Sequence, residues 1–356
     1  MPFRRAQLSA PASIASVQYL RVVACWCVVL FHIFASLNSE LGWSNHFGFG
    51  AIGVDIFFVI SGYIMAMIIA RDEDFRPMTF LMKRIARIVP IYWVMSAGAV
   101  AITFALPHLM NRPEMEWSKI ISSMLFLPDP VAGSILPIIS VGWTLNLEMF
   151  FYCLVAFTVW ISGDRGMMVT IGVLVLIVLA GLLVDGGTIF NFFTQPLLLE
   201  FAFGILIWRY GVIATRQKWF TGFWLVSMPV LVIGLIVSGA YDDTWRFAIW
   251  GLPAAFFFLG AQSLMTKSIP WLQKLGDWSF STYLLHVYVI QLFVKLIAEQ
   301  LPYEPMLITS AIGVLILVIA IGSAAMFHLF EKPVTMWLNS GIARWALRPR
   351  ESRQPL

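Results

Sequence analysis

The sequence predicts an all-α, polytopic membrane protein of about ten transmembrane helices with both termini cytoplasmic. Three observations predict it. Hydrophobic residues make up 60% of the 356-residue chain and charged residues only 12%, more apolar surface than a soluble chain of this length hides. The apolar residues fall in runs long enough to cross a bilayer, about 17–25 residues each. Lysine and arginine are divided unevenly between alternate connections, as they are in inserted proteins.

The spans are expected at 17–38, 50–70, 88–107, 135–160, 167–184, 190–208, 221–239, 245–264, 278–298 and 306–330. They form one transmembrane domain, 17–330, between a cytoplasmic segment, 1–16, and a basic cytoplasmic tail, 331–356. Glycine, proline and polar residues inside some spans are tolerated where neighbouring helices cover the freed backbone groups. The run IISSMLFL (120–127) is too short to cross and is expected to be re-entrant or interfacial. The first span is not expected to be a cleaved signal: it is too long, it keeps Arg21 and His32, and no small-residue cleavage site follows. Cys25, Cys27 and Cys153 fall in apolar runs, so they read as small core residues with neither disulfide nor metal spacing. No metal is expected.

Orientation follows from charge. With the N-terminus in the cytoplasm, nineteen of the 23 lysines and arginines lie on that side. Only Arg112, Lys119, Arg246 and Lys295 lie on the other. That asymmetry also accounts for the net charge of +4, which therefore implies no nucleic-acid partner.

The first span carries two ionisable residues, in YLRVVACWCVVLFHIF (19–34). Charge inside a bilayer is costly and marks function by default. The eleven-residue step from Arg21 to His32 rises roughly 16 Å along a helix. Arg21 at one interface thus puts His32 just past the middle of a ~30 Å core. In the second span, GAIGVDIFFVISGYIM (50–65), Asp55 is expected about 7 Å inside the outer interface, facing a partner or a wet cavity. Ser61 and Gly62 lie deeper, and their plainest reading is close helix packing.

Before the third span, MKRIARIVPIYW (82–93) puts Arg84 and Arg87 three apart on one helical face, with Lys83 beside them. An arginine fork matches phosphate oxygens, so this group is a candidate phosphate clamp at the membrane edge. In VGWTLNLEMFFY (141–152), Trp143 suits an interfacial belt, which makes Glu148 intramembrane at a depth like that of Asp55. Glu331, in HLFEKPVT (328–335), is expected to form a structural salt bridge with Arg84 or Arg87. His286 reads as a hydrogen-bonded core histidine and His328 as interfacial. His46 and His108 fall in outer loops. Residues 108–134 are the longest outer connection and the expected acceptor-facing element. Trp43, Trp117, Trp143 and Trp245 lie near the outer face.

In order, Arg-x10-His (Arg21, His32), GVDIFFVISGY (53–63), the RxxR pair (Arg84, Arg87), WTLNLEMFFY (143–152) and FEKP (330–333) resemble the acyltransferase 3 family of integral membrane acyltransferases, over nearly the whole chain. The similarity is greatest to the exopolysaccharide O-acetyltransferase branch. It implies a ten-helix core in a bacterial inner membrane that moves an acyl group, usually acetyl from acetyl-CoA, to a sugar hydroxyl. Partners implied are a polysaccharide or lipid-linked oligosaccharide acceptor, membrane lipid and polysaccharide assembly proteins. Some relatives carry a soluble esterase-like domain; this chain is expected to lack one.

On this reading Arg21, Lys83, Arg84 and Arg87 hold the CoA phosphates. His32 is the general base, with Asp55 or Glu148 orienting its imidazole as the carboxylate of a triad does. Ser61, Trp143, Tyr152 and Glu331 support the site. Two routes stay open, direct transfer and an acyl-His32 intermediate. A second class, a transporter or flippase for a lipid-linked saccharide, shares the buried charges. It has no need of an arginine pair at one mouth, and the paired broken helices of many transporters are not visible here.

Overall fold

The computed structural model describes residues 11–41, 47–106, 116–129, 131, 133–215, 218–237, 243–265, 267–300 and 304–346. His46, His108 and Trp43 lie outside them. The described residues form thirteen α-helices: α1 (Pro11–Leu41), α2 (Ile52–Arg71), α3 (Pro77–Ala105), α4 (Trp117–Met124), α5 (Trp143–Ser162), α6 (Gly166–Leu183), α7 (Gly187–Phe193), α8 (Leu199–Thr215), α9 (Lys218–Val237), α10 (Leu252–Leu264), α11 (Pro270–Leu296), α12 (Pro305–Met326) and α13 (Lys332–Ala346). Each expected span overlaps a described helix, although the first eight residues of 135–160 precede α5. Eight stretches are long and apolar enough to cross a membrane, and α9 contains a shorter apolar run, Gly222–Gly234. The chain is an all-α, multi-pass membrane protein.

Local chemistry sets the helix ends. Helices α3, α10, α11 and α12 begin with proline in the first turn, where the missing N–H has no helical partner to lose. Between α5 and α6, Gly163 has φ +52°, a torsion that side chains rarely adopt, and the helix breaks there. The expected 190–208 span breaks at Thr194 and Gln195 into α7 and α8. Two π-turns, Phe247–Gly251 and Phe327–Glu331, follow Arg246 and end on Glu331.

Some boundaries differ from expectation. Helix α3 starts at Pro77, eleven residues before the expected span, so Arg84 and Arg87 stand well inside it. Residues 332–346, placed in the tail, form α13 and pack along α3; there Arg76 Nη1 donates to Ala346 O (2.7 Å). Residues 120–127 belong partly to the short α4, whose end accepts from Trp93 Nε1 at Met124 O (3.1 Å).

Two seams organise the bundle. Helix α2, the most enclosed span, packs on α8. Glycines allow this: a Cβ on Gly62 would lie 2.0 Å from Phe201 O, and one on Gly204 2.1 Å from Val59 O. Small residues that let backbones approach are the usual adhesive between membrane helices. The second seam joins α1 to α11. Tyr19 Oη donates to Lys267 O (2.8 Å), Gln18 Nε2 to Asp277 Oδ1 (2.7 Å) and Cys25 Sγ to Ser279 O (3.3 Å). Along the two helices themselves, Gln18–Asp277, Cys25–Ser279 and His32–His286 rise together, so α1 and α11 run parallel.

Asp55 has no exposed surface, and its partner is Arg246, whose Nη2 lies 2.8 Å from Oδ2 and Nε 3.1 Å from Oδ1. Arg246 also donates to Ala51 O (3.3 Å). Breaking a buried pair from one side strands the other charge, which costs about 3–5 kcal/mol. Arg246→Met is therefore expected to lower stability by about that much in detergent unfolding, and adding Asp55→Leu to recover most of the loss.

Candidate active site

A cavity of about 100 Å³ lies between α1, α2, α3, α5 and α11, with Arg21, Arg84, Arg87 and Glu148 in its wall. Helical spacing puts Arg84 and Arg87 into it together. Lys83, rotated about 100° away, is exposed instead, in a surface hollow with Asp72, Asp74 and Arg76. Lys83 thus falls outside the expected cationic group. Arg84 stands over the Phe80 ring (5.8 Å) beside Tyr152 and Glu148. Arg21 Nη1 donates to Gln18 Oε1 (3.2 Å).

Glu148 Oε1 accepts from Ser61 Oγ (3.1 Å) and from Tyr152 Oη. So Ser61 of the Ser-Gly pair serves polar chemistry while Gly62 serves packing. Glu148 shares the arginines' cavity instead of standing with His32 at an outer depth. The reason is where α5 begins. Ile138, Ile139, Val141 and Gly142 before it are buried, and half-buried Trp143 packs its ring against Phe58 (6.4 Å). The helix starts inside the protein, and Trp143 packs there against α2.

His32 lines a second cavity, of about 190 Å³, with Ser36, Ser140, Gln291 and Lys295. Its Nδ1 lies 2.9 Å from Val28 O and 3.4 Å from Nε2 of the fully buried His286. Among the described residues no carboxylate hydrogen-bonds to either imidazole. The expected orientation of His32 by Asp55 or Glu148 is therefore not what the fold builds: Asp55 is held by Arg246 and Glu148 by Ser61 and Tyr152. His286 is a core histidine, as expected, and the one that meets His32.

Tyr283 stands between the two cavities. It lines the arginine cavity, and its ring lies 5.9 Å from that of His286. Its Oη donates to Val141 O (2.9 Å) and shares a hydrogen bond with Thr144 Oγ1 (2.8 Å). This clasp ties α11 to the start of α5.

The expected salt bridge of Glu331 to Arg84 or Arg87 is replaced by a hydrogen bond from Ser281 Oγ to Oε2 (2.5 Å). Arg87 and Arg21 act on Glu331 only through the field. The π-turn that ends at Glu331 aims it at α11. Sequence reasoning missed Glu200, fully buried on α8 with its carboxyl beside Asp55 and Arg246. An acid inside the apolar run LLLEFAFG (197–204) was the available signal. His328 is exposed, its ring edge-on to Trp278 (5.8 Å).

The membrane bundle thus holds two polar cavities, one lined by arginines and one by His32. Residues 14–325 match the acyltransferase 3 family, described as an acyltransferase domain, and the chain belongs to that family: it is a multi-pass membrane acyltransferase. It is similar to the exopolysaccharide production protein ExoZ of Rhizobium meliloti (strain 1021), 33% identical over 70% of this chain and 80% of ExoZ. It is also similar to the acyltransferase MdmB of Streptomyces mycarofaciens, 26% identical over 78% and 79% of the two chains. An O-acetyl transferase of Shigella phage Sf6 is 24% identical over 83% and 90%. No solved structure matches.

Two donors share one oxygen of Glu148, so their deletions couple. Ser61→Ala and Tyr152→Phe are each expected to cost about 1–3 kcal/mol. The double variant is expected to lose more than their sum, because only then is Oε1 left bare. A double-mutant cycle on unfolding reads the coupling.

Proposed function

We propose that this acyltransferase moves an acetyl group from acetyl-CoA to a hydroxyl of an exopolysaccharide or cell-surface sugar, or of its lipid-linked precursor, in a bacterial inner membrane with both termini cytoplasmic. The observation that carries the reading is the pair of cavities on either side of Tyr283 and His286. One is lined by three arginines against a single glutamate, suited to an anionic donor. The other is lined by hydroxyl and amide side chains around an imidazole, suited to a polyol. The names of the relatives support the substrate class: ExoZ is an exopolysaccharide production protein and the phage protein an O-acetyl transferase.

CoA carries phosphates at one end of a long arm and the thioester at the other. In this reading Arg84, Arg87 and Arg21 hold the phosphate end, and the thioester reaches toward Tyr283. Neutral His32 takes the proton of the acceptor hydroxyl as its oxygen bonds to the carbonyl carbon. The C–S bond then breaks and the CoA sulfur leaves with the electron pair. General-base help of this kind contributes ~10²–10⁴-fold. Asp55, tied to Arg246 and lining neither cavity, serves the fold in this scheme, and Glu148 steadies the arginines.

Membranes carrying the intact chain or His32→Ala, given radiolabelled acetyl-CoA and host saccharide, test this. Label is expected in saccharide only with the intact chain, and equal label with both would remove His32 from the chemistry. Arg84→Ala and Arg87→Ala are each expected to raise KM for acetyl-CoA roughly 10–100-fold, from charged hydrogen bonds of about 1.5–3 kcal/mol. An unchanged KM would move the donor elsewhere.

A further inference from the structure

We propose that His286 is the positioning residue of His32: its Nε2 lone pair takes the place of a triad carboxylate, accepting the Nδ1 proton of His32. The proposal rests on the acyl-transfer reading above for its kinetics, but its geometry stands alone.

Carbonyl oxygens only accept hydrogen bonds, and this assigns the protons. His32 Nδ1 meets Val28 O at 2.9 Å, so Nδ1 carries the hydrogen. His286 Nδ1 meets Thr282 O at 3.1 Å, so it too carries its hydrogen there. In a neutral imidazole one nitrogen donates and the other accepts. The basic nitrogen of His286 is therefore Nε2, and it faces His32 Nδ1 at 3.4 Å. The basic nitrogen of His32 is its own Nε2, on the side chain that lines the second cavity. The two rings are chained in one direction: acceptor hydroxyl to His32 Nε2, then His32 Nδ1–H to His286 Nε2.

When His32 takes the hydroxyl proton at Nε2 it becomes an imidazolium with hydrogens on both nitrogens. Its Nδ1–H then donates to two acceptors, Val28 O and His286 Nε2, which stabilise the charge held on His32. The leaving sulfur takes the proton from Nε2, after which His32 is neutral again. A carboxylate in this place would be a permanent charge at membrane depth, costly throughout the cycle. The imidazole of His286 orients its partner without adding a charge of its own. The pair is also fixed in space. His286 is fully buried, its own helix is tied to α1 by the Cys25 and Gln18 contacts, and its neighbour Tyr283 is clamped to α5.

The test compares two amides. Glutamine places its amide where Nε2 stands, whereas asparagine reaches only the position of Nδ1. His286→Gln is expected to keep kcat within about threefold. His286→Asn is expected to lose about 10²-fold in kcat, the lower end of general-base help, with KM for acetyl-CoA unchanged. A purely structural histidine predicts equal damage from both, or raised KM. Gln as impaired as Asn, or Asn as active as the intact chain, overturns the proposal. The ¹⁵N NMR spectrum of histidine-labelled protein in detergent, assigned with these variants and His32→Asn, reads the tautomers without any acyl chemistry. Nδ1–H on both rings is expected. A hydrogen on Nε2 of neutral His286 overturns the proposal whatever the activity. Lack of acetyl transfer by the intact chain would instead sink the acetyl-CoA reading and leave the pairing to the spectrum.

Discussion

A helix enclosed by protein over most of its surface, inside a membrane, must find a partner for each polar atom it buries. Helix α2 is that helix, and most of the architecture follows from how it meets the demand. Asp55 is matched by Arg246 from the turn before α10, Ser61 by Glu148 of α5, and Gly62 by the backbone of α8. Three neighbours are thereby set around one axis. The remaining face of α2, with Phe57 against Tyr283 (5.7 Å), looks into the arginine-lined cavity.

That cavity and the one lined by His32 differ in charge type. Permanent cations gather in one cavity, where they are steadied by Glu148 and by the field of Glu331. The other cavity keeps groups that are neutral at rest, apart from Lys295, whose charge is already met by Glu299 at 2.6 Å. On the proposed acyl-transfer reading, an anionic donor and a neutral polyol would be sorted to different sides before either meets the imidazole. The parallel α1 and α11 seam contributes to both cavities, with Arg21 and Tyr283 on one side and His32 and Gln291 on the other.

Much of this was legible in the chain. The spans showed in hydropathy, and the shared face of Arg84 and Arg87 in their spacing, because one helix fixes both. The polar residues inside apolar runs announced themselves by cost alone. What could not be read was which of them face each other. Depth along a helix is countable, but rotation about its axis and the tilt of its neighbours come from packing. Asp55 and Glu148 were therefore paired with the wrong residue, His32, by similarity of depth. Glu148 was also misplaced in depth, because the buried approach through Ile138 and Ile139 carries α5 inward before it starts. Lys83 was grouped by adjacency in sequence, where a step of one residue turns the side chain away. Glu200 went unremarked although its signal was as plain as that of Asp55.

Gly163 has a consequence larger than its size. The apolar stretch Ser140–Leu183 is 44 residues long, and as one straight helix it would reach roughly 66 Å, about twice the ~30 Å hydrocarbon core. The left-handed torsion at Gly163 folds it into two crossings, pinned by the Thr158 to Thr170 hydroxyl contact (2.6 Å). Counted as one crossing instead of two, the stretch would reverse the parity of every later segment. The loops after α6 would change compartments, and α11 would run antiparallel to α1. His286, on a reversed α11, would no longer be in register with His32. The meeting of His32 and His286 thus depends on the topological parity that one glycine, more than a hundred residues away from either, sets for the chain.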